Sequence, residues 1–344
     1  MRRIPGMHVT IALALVICLQ CLAGASAAAA GGRLTGSSRV EPSTHTAVGG
    51  PKIVVASPKT KSYALGQKFL VTFSCKGGSA ITRCVATIGR QGTKAGKVIS
   101  GKRMQPRTTG RYVLRVTATD RSGKRASKTV SFYVVRMISW SGYTWTVRLP
   151  GTGGPGPNAW SDSPANVRVS GSDLLLSIVR DSSGHWTSAE VDNQRDLGYG
   201  TYRWVVASDL SGLDSNDVLG MFTYAGLDPH INTIEIDSSR WGELSWTSGG
   251  VSVQEGMNGV PHDSTDFEYS NQPPYVNEFT WAPGSVTFLV TDATGATLLN
   301  WTATTAVPTP SAGAPIINYW RFHNVPPAAT HTIAISSFTW VPLG

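Results

Sequence analysis

Cysteine is scarce in this chain, with four residues among 344. Cys18 and Cys21 lie in the first apolar stretch, so Cys75 and Cys84 are the pair that remains further along. An even number of cysteines in an exported chain favours a disulfide bond, here one that closes a short loop. A zinc site is the competing interpretation, but no histidine lies nearby and two thiolates make a poor zinc shell. The scarcity argues against a cysteine nucleophile, and we interpret the pair as structural.

The chain also lacks long apolar runs. The stretch over residues 11–22 is too short for a permanent membrane anchor, and no second long run follows it. Two arginines precede this stretch and small residues follow at 25–27, which is the three-part pattern of a secretory signal. We predict a signal peptide over 1–27, a flexible linker over 28–50, no membrane anchor, and an extracellular or cell-wall location.

Acidic residues are nearly absent from the first part of the chain. Up to Arg136 there are 23 Lys and Arg against only Glu41 and Asp120, whereas the remainder has 7 against 19. A unit this basic attracts anionic polymers such as wall teichoic acid, acidic polysaccharide or nucleic acid. The alternative is that the charge only keeps the unit soluble. No aromatic residues interleave with the basic ones as in a nucleic-acid groove. An anionic cell-wall polymer as partner and a purely solubilising charge both stay open.

Helical periodicity is almost missing, and short β-branched and aromatic runs alternate with turn residues. Over 51–136 this pattern predicts a small β-sandwich. The segment GRYVLRVTATDRSG at 110–123 resembles the last hairpin of bacterial immunoglobulin-like modules, which implies a basic Ig-like domain. Over 138–344 the pattern predicts a second, larger sandwich of jelly-roll type. We therefore expect an all-β chain of two domains.

The second domain is acidic and contains the chain's eleven tryptophans. Flat indole faces stack on the apolar faces of sugars, while carboxylates and amides bind their hydroxyl groups. For any single tryptophan core packing is the better explanation, because large aromatic side chains dominate sandwich cores. The cluster as a whole indicates a sugar-binding domain.

Several segments of the second domain resemble successive strands of glycoside hydrolase family 16. They are GYGTYRW at 198–204, VLGMFTY at 218–224, SRWG at 239–242, NEFTWAPGSV at 277–286 and INYWRF at 317–322. The resemblance implies a concanavalin A-like jelly roll with a cleft across one face. It also implies cleavage of internal β-1,3 or β-1,4 bonds in glucans or related galactans. The family's catalytic strand reads Glu-Ile-Asp, an aliphatic residue, then Glu.

The corresponding strand here can be aligned with that signature in two registers. A literal match makes Glu235 the nucleophile and Asp237 its support, with Ser239 where the acid/base should stand. A match anchored on the following Arg-Trp-Gly instead places Thr233 at the nucleophile, Glu235 at the support and Asp237 at the acid/base. Each register lacks one member of the catalytic set. Both place Thr233, Glu235 and Asp237 on one face of the strand, because side chains alternate.

The resemblance further implies substrate contacts along the cleft. The predicted contact residues are Arg203, Tyr224, Arg240, Trp241, Trp246 and Trp320. Glu190, Asp192 and Glu243 are alternative carboxylates that the sequence alone cannot place. No metal site or cofactor is predicted, although a calcium-ligand role for Glu235 and Asp237 stays open. We expect a monomeric secreted protein that binds, and in one alternative hydrolyses, a β-glucan or galactan. The other alternative is a non-catalytic lectin-like or adhesion protein.

Overall fold

The computed structural model describes residues 49–77, 79–224, 232–255, 262–310 and 314–344, without the side chains of Tyr224, Asn232, Glu255 and His262. The predicted signal peptide and all but the last two residues of the predicted linker lie outside the described residues. Contacts divide the chain into two units that meet between Val134 and Val135. In the described residues, no helix has the length and apolar character needed to span a bilayer.

The N-terminal unit consists of strands β1 to β9. Their bounds are β1 Lys52–Ser57, β2 Ser62–Ala64, β3 Phe69–Leu70, β4 Thr72–Lys76, β5 Ile81–Arg90, β6 Gly96–Val98, β7 Arg103–Met104, β8 Gly110–Asp120 and β9 Arg125–Val135. Five of them form an antiparallel sheet in the order β2-β9-β8-β5-β6, while β1 pairs with β4 and β3 with β7. Leu114, Val116 and Phe132 alternate with polar residues and are fully buried in the core of this unit.

The predicted disulfide bond is confirmed. Cys75 on β4 and Cys84 on β5 are bonded, with their Cα atoms 6.1 Å apart. The bond joins the five-stranded sheet to the β1-β4 pair. The Ig-like assignment of this unit stays a prediction.

The C-terminal unit is a sandwich of two eight-stranded sheets, which confirms the all-β expectation for this region. Its strands are β10 Met137–Trp140, β11 Tyr143–Val147, β12 Gly151–Gly153, β13 Asn158–Trp160, β14 Val167–Ser170, β15 Asp173–Arg180, β16 Trp186–Thr187, β17 Ala189–Asn193, β18 Gly200–Val206, β19 Asp217–Tyr224, β20 Asn232–Ser238, β21 Gly249–Glu255, β22 His262–Phe267, β23 Tyr275–Ala282, β24 Ser285–Thr291, β25 Thr297–Ala303, β26 Ala314–Arg321 and β27 His331–Pro342, with a 3-10 turn at Phe322–Asn324.

We call the two sheets front and back. The front sheet has the order β10-β11-β17-β26-β19-β20-β21-β22, and the back sheet has the order β14-β15-β27-β18-β23-β24-β25, with β16 paired to β15. Large aromatic side chains from both sheets, including Trp145, Tyr202, Trp204, Phe279 and Phe338, fill the space between them and are almost fully buried. This dense core fixes which residues of the front sheet point away from it.

Candidate functional site

Strand β20 carries two carboxylates on the outer face of the front sheet. Ile234 and Ile236 are fully buried in the core, so the alternate positions Thr233, Glu235 and Asp237 face the other way. The sequence predicted this facing in either register, and the burial pattern confirms it. Thr233 is itself buried, although it does not belong to the core cluster. The outer face is therefore partly covered rather than flat.

Glu235 and Asp237 share a proton. Their side chains are hydrogen-bonded to each other, and two carboxyl groups can bond in this way only if one keeps its hydrogen. Burial raises the pKa of Glu235 to about 7. Burial, together with the neighbouring Glu235 carboxylate, holds the pKa of Asp237 well above its usual range. The pair therefore retains a proton near neutral pH.

A second pair of carboxylates lies on the same face, on strand β17. Glu190 and Asp192 alternate with Val191, which is fully buried in the core. Sheet register aligns Glu190 with Asp237 through Asn318 and Gly220, and it aligns Asp192 with Glu235 through Ile316 and Phe222. The two pairs therefore face each other across strands β26 and β19. We call the surface bounded by Glu190, Asp192, Glu235 and Asp237 the carboxylate face.

Asn318 and Gly220 form the floor of the gap between the two pairs. Three inter-strand spacings separate β17 from β20, or about 14 Å between Cα atoms. Asn318 reaches across part of this distance, and its Nδ2 donates to Glu190 Oε2 at 3.4 Å. A Cβ atom added to Gly220 would lie 2.6 Å from Asn318 Oδ1 and 3.4 Å from Asp237 Oδ1. Glycine at this position is what allows the amide and the carboxyl group to approach each other.

Burial also raises the pKa values of the two carboxyl groups on β17. Arg148 Nη1 contacts Glu190 Oε2 at 2.9 Å, and its guanidinium carbon lies 4.0 Å from the ring centroid of Trp160. Burial raises the pKa of Glu190, and the nearby Arg148 opposes that rise without cancelling it. Burial first, and the neighbouring Glu190 second, raise the pKa of Asp192 to about 8. Near neutral pH the carboxylate face therefore retains protons, and with them hydrogen-bond donors.

Two acceptors on this face are unused. Within the described parts of the chain, Asn318 Oδ1 and Asp192 Oδ1 are buried and have no hydrogen-bond partner. Buried polar atoms are nearly always paired in folded proteins, so an unpaired one at a recessed surface indicates a missing donor. A water molecule or a hydroxyl group of a bound molecule can supply that donor.

An aromatic cluster adjoins the row that contains Asp237. Trp160, Val218 and Trp320 are buried together, and Trp241 and Phe322 pack against them. The ring centroid of Trp241 lies 6.2 Å from that of Trp320 and 5.4 Å from that of Phe322. Trp320 is only 3% exposed, so it supports the cluster rather than offering a stacking surface. The half-buried Trp241 can offer one.

Other predicted contact residues lie elsewhere. Arg203 is on β18 of the back sheet, between the fully buried Tyr202 and Trp204, and its Nε contacts Glu278 Oε2 at 2.5 Å on the outside of that sheet. It does not belong to the carboxylate face, which corrects its predicted role. The error arose because a short matching segment does not show which of two packed sheets it joins.

The loop after β20 holds three more of the named residues. Arg240 contacts Glu268 Oε1 at 2.5 Å and also donates to the carbonyl oxygen of Trp246. Trp246 and Glu243 are exposed in this loop, and neither belongs to the aromatic cluster. The side chain of Tyr224 lies outside the described residues. The structure thus groups Thr233, Glu235 and Asp237 on one face and brings Trp241 and Trp320 together beside it.

Four residues of the site were missed by the sequence reasoning: Arg148, Trp160, Gly220 and Asn318. One signal in the sequence does point to the carboxylate face. Glu190-Val191-Asp192 and Glu235-Ile236-Asp237 are two copies of one pattern, a Glu and an Asp flanking an aliphatic residue. Each copy buries its aliphatic residue in the core and directs two carboxyl groups to the opposite side of the sheet.

The acids of this unit do not form an evident metal centre. The described residues contain no group of three or more His, Cys, Asp and Glu side chains arranged to hold a metal ion. A separate cavity of about 510 Å³ lies beside Asp217, Tyr319 and His331. There the buried Asp217 accepts hydrogen bonds from Tyr319 Oη at 2.6 Å and Arg321 Nη1 at 2.5 Å, and it lies 2.7 Å from His331 Nδ1. Both carboxylate oxygens of Asp217 are engaged within the protein, which indicates a structural role.

Comparisons with known proteins give a likeness to solved structures alone. No protein-family model matches the chain, and no curated protein matches it. It is similar to a Bacillus licheniformis β-glucanase, with 19% identity, a TM-score of 0.46, and coverage of 58% of this chain and 92% of the other. It is also similar to a prokaryotic β-1,3-1,4-glucanase (lichenase) from a mouse hindgut metagenome, with 21% identity, a TM-score of 0.45, and coverage of 58% of this chain and 93% of the other. A third similar structure is an immunostimulatory antigen and pseudo β-1,3-glucanase of Mycobacterium tuberculosis, with 16% identity, a TM-score of 0.44, and coverage of 56% of this chain and 88% of the other.

Proposed function

We propose that this chain is a secreted protein whose carboxylate face binds a neutral β-linked polysaccharide of the β-glucan or galactan class. One observation carries the proposal. Two facing pairs of carboxyl groups enclose a floor on which Asn318 Oδ1 and Asp192 Oδ1 have no partner, among the described residues. Sugar hydroxyl groups supply the donors that these atoms need, and Trp241 beside them offers a surface for an apolar sugar face.

The acidic excess of the C-terminal unit as a whole, rather than the carboxylate face alone, favours a neutral polymer. The chain after Arg136 has 7 Lys and Arg against 19 Asp and Glu, and four of those acids bound the carboxylate face. An anionic sugar chain would be repelled by this field. The proton that burial retains on Asp192 provides a donor for an oxygen of a neutral sugar.

Hydrolysis is the second candidate, and it is favoured by the position of Asp237 opposite the β17 pair, together with the raised pKa of its carboxyl group. A carboxyl group that keeps its proton near neutral pH is suited to protonate a leaving glycosidic oxygen. The base would come from the β17 pair on the other side of the gap. A water molecule between acid and base requires roughly 6.5 to 9.5 Å between carboxyl groups, which corresponds to inversion at the anomeric carbon.

The test uses the full chain with four neutral polymers: laminarin, lichenan, agarose and a β-1,4-galactan. Binding is measured by tryptophan fluorescence, and release of reducing ends is followed in parallel. Asp237→Asn is the site variant, and Glu243→Gln, exposed in the loop after β20, is the matched control. Binding without product supports the binding function alone. Product that disappears only in Asp237→Asn establishes hydrolysis, and absence of binding to all four polymers contradicts both candidates.

We further propose that the N-terminal unit attaches the protein to the cell wall. Its excess of Lys and Arg supports retention of the secreted protein at an anionic polymer of the cell wall. In this arrangement an Ig-like unit holds the surface, and the C-terminal unit is free to bind a neutral glycan.

A further inference from the structure

The five-stranded sheet of the N-terminal unit has one basic face. On β8, Leu114 and Val116 point into the core, so Arg111 and Arg115 point to the opposite side. Sheet register places more basic residues on this same side, each of them exposed. We call the surface formed by Arg83, Lys97, Arg111, Arg115 and Arg125 the arginine face.

The basic residues of this face are regularly spaced. Arg83 and Arg125 flank Thr119 in one row, and Lys97 and Arg115 flank Thr87 two rows further along the same face. Residues two strands apart are separated by about 10 Å, and positions four residues apart along a strand by about 13 Å. A single small anion would meet one of these cations, whereas an extended polymer meets several.

No carboxylate neutralises the arginine face among the described residues. Arg111 donates to Gln91 Oε1 at 3.1 Å and to Ser131 Oγ at 3.0 Å, which are both neutral partners. Arg115 Nε donates to Ser127 Oγ at 3.3 Å. Over the described residues up to Val134 the acidic side chain is Asp120, which lies on the buried side of β8 and accepts from Ser122 Oγ at 2.7 Å. These neutral contacts orient the guanidinium groups and leave their charge available.

We infer that the arginine face binds a linear polymer of repeating phosphate or carboxylate groups that carries no bases. The inference rests on the proposed retention function, because it names the surface that would perform it. Guanidinium groups bind both kinds of anion through two parallel N–H donors. The Ser and Thr hydroxyl groups between the rows add neutral donors to the same surface.

Nucleic acid fits this face less well. Proteins that hold single strands stack successive bases on several aromatic side chains. On the described part of the arginine face Tyr133 is the aromatic residue, at 45% exposure. A flat sheet face without an aromatic series favours a polymer that has no bases.

The test compares two triple variants of the full chain that remove the same charge. Arg83→Gln, Arg115→Gln and Arg125→Gln alter the arginine face. Arg103→Gln, Arg107→Gln and Lys128→Gln remove exposed charges from β7, from the following loop and from the other side of β9. Binding to polyphosphate, polygalacturonate and an oligo-dT strand is measured at several salt concentrations. Thermal unfolding confirms that both variants fold.

The wild-type chain should bind polyphosphate and polygalacturonate, more weakly as salt rises. Loss of about fivefold per arginine predicts roughly 100-fold weaker binding for the face variant, and at most about fivefold for the control. Equal loss in both variants overturns the arginine face but keeps retention by net charge. No wild-type binding at low salt overturns the retention proposal itself. Tighter binding of oligo-dT than of either polyanion assigns the face to nucleic acid and overturns the inference.

Discussion

Gly220→Ala tests the geometry of the carboxylate face through a single added carbon. That carbon would lie 2.6 Å from Asn318 Oδ1, closer than side-chain carbons approach other atoms, and Asn318 is only 2% exposed. The amide must therefore shift within a packed environment, away from its 3.4 Å contact with Glu190. Overpacking of this kind costs about 1–3 kcal/mol in the free energy of unfolding. Glycan binding should weaken as well, because the floor of the gap is displaced.

Tryptophan fluorescence during chemical denaturation measures this cost selectively, since all eleven tryptophans lie at or after Trp140. The matched control is Gly151→Ala, where an added Cβ meets no atom within 4 Å. It should change stability by less than about 0.5 kcal/mol.

A double variant identifies the cause of the cost. Asn318→Ala removes the atom with which the new carbon collides, so Gly220→Ala should cost less in that background. We expect a coupling of about 1–2 kcal/mol between the two substitutions. Additive effects, within about 0.5 kcal/mol, would refute the proposed contact between Gly220 and Asn318.

Three further predictions follow from the same structure. Burial raises the pKa of Asp192 to about 8, so the folded chain keeps a proton that the unfolded chain loses near pH 4. The free energy of unfolding should therefore fall as pH rises from about 4 to about 8. Asp192→Asn should reduce this fall, and denaturation at pH 5, 6.5 and 8 measures it; an unchanged slope would contradict the assignment. Reduction of the Cys75–Cys84 bond should destabilise the N-terminal unit by about 2–3 kcal/mol, because the unfolded chain regains the entropy of the closed loop. Calorimetry measures this loss. A shift in the unfolding transition reported by tryptophan fluorescence as well would show that the effect is not confined to that unit. Trp241→Ala should weaken glycan binding about tenfold while Arg203→Ala leaves it unchanged, as measured by titration, and the reverse result would place the site on the back sheet.

The facing of side chains on β20 could be predicted because alternation along a strand is a local property. Ile234 and Ile236 need the core, and their neighbours must then point outward whichever family register is chosen. The disulfide bond could also be predicted, since an even cysteine count in a chain expected to be exported leaves few alternatives.

The composition of the carboxylate face could not be predicted, because it depends on the order of strands in the sheet. Glu190 and Asp237 are brought into one row by β26, a strand more than 120 positions further along the chain than Glu190. In the sequence Asn318 is only one polar residue in an aromatic strand, and its place between the two pairs becomes apparent when the strand register is known. Arg203 shows the converse limit, because its neighbours match a family segment while its side chain faces outward on the back sheet.

The most direct test of the account is the dissociation constant of a soluble β-glucan oligosaccharide for the wild-type chain and for Asn318→Ala, by isothermal titration at pH 6.5. The account holds that Asn318 Oδ1 accepts a hydrogen bond from the sugar, so the variant should bind about tenfold more weakly, as expected for one lost hydrogen bond. A folded variant that binds as tightly as the wild type would contradict glycan binding at the carboxylate face.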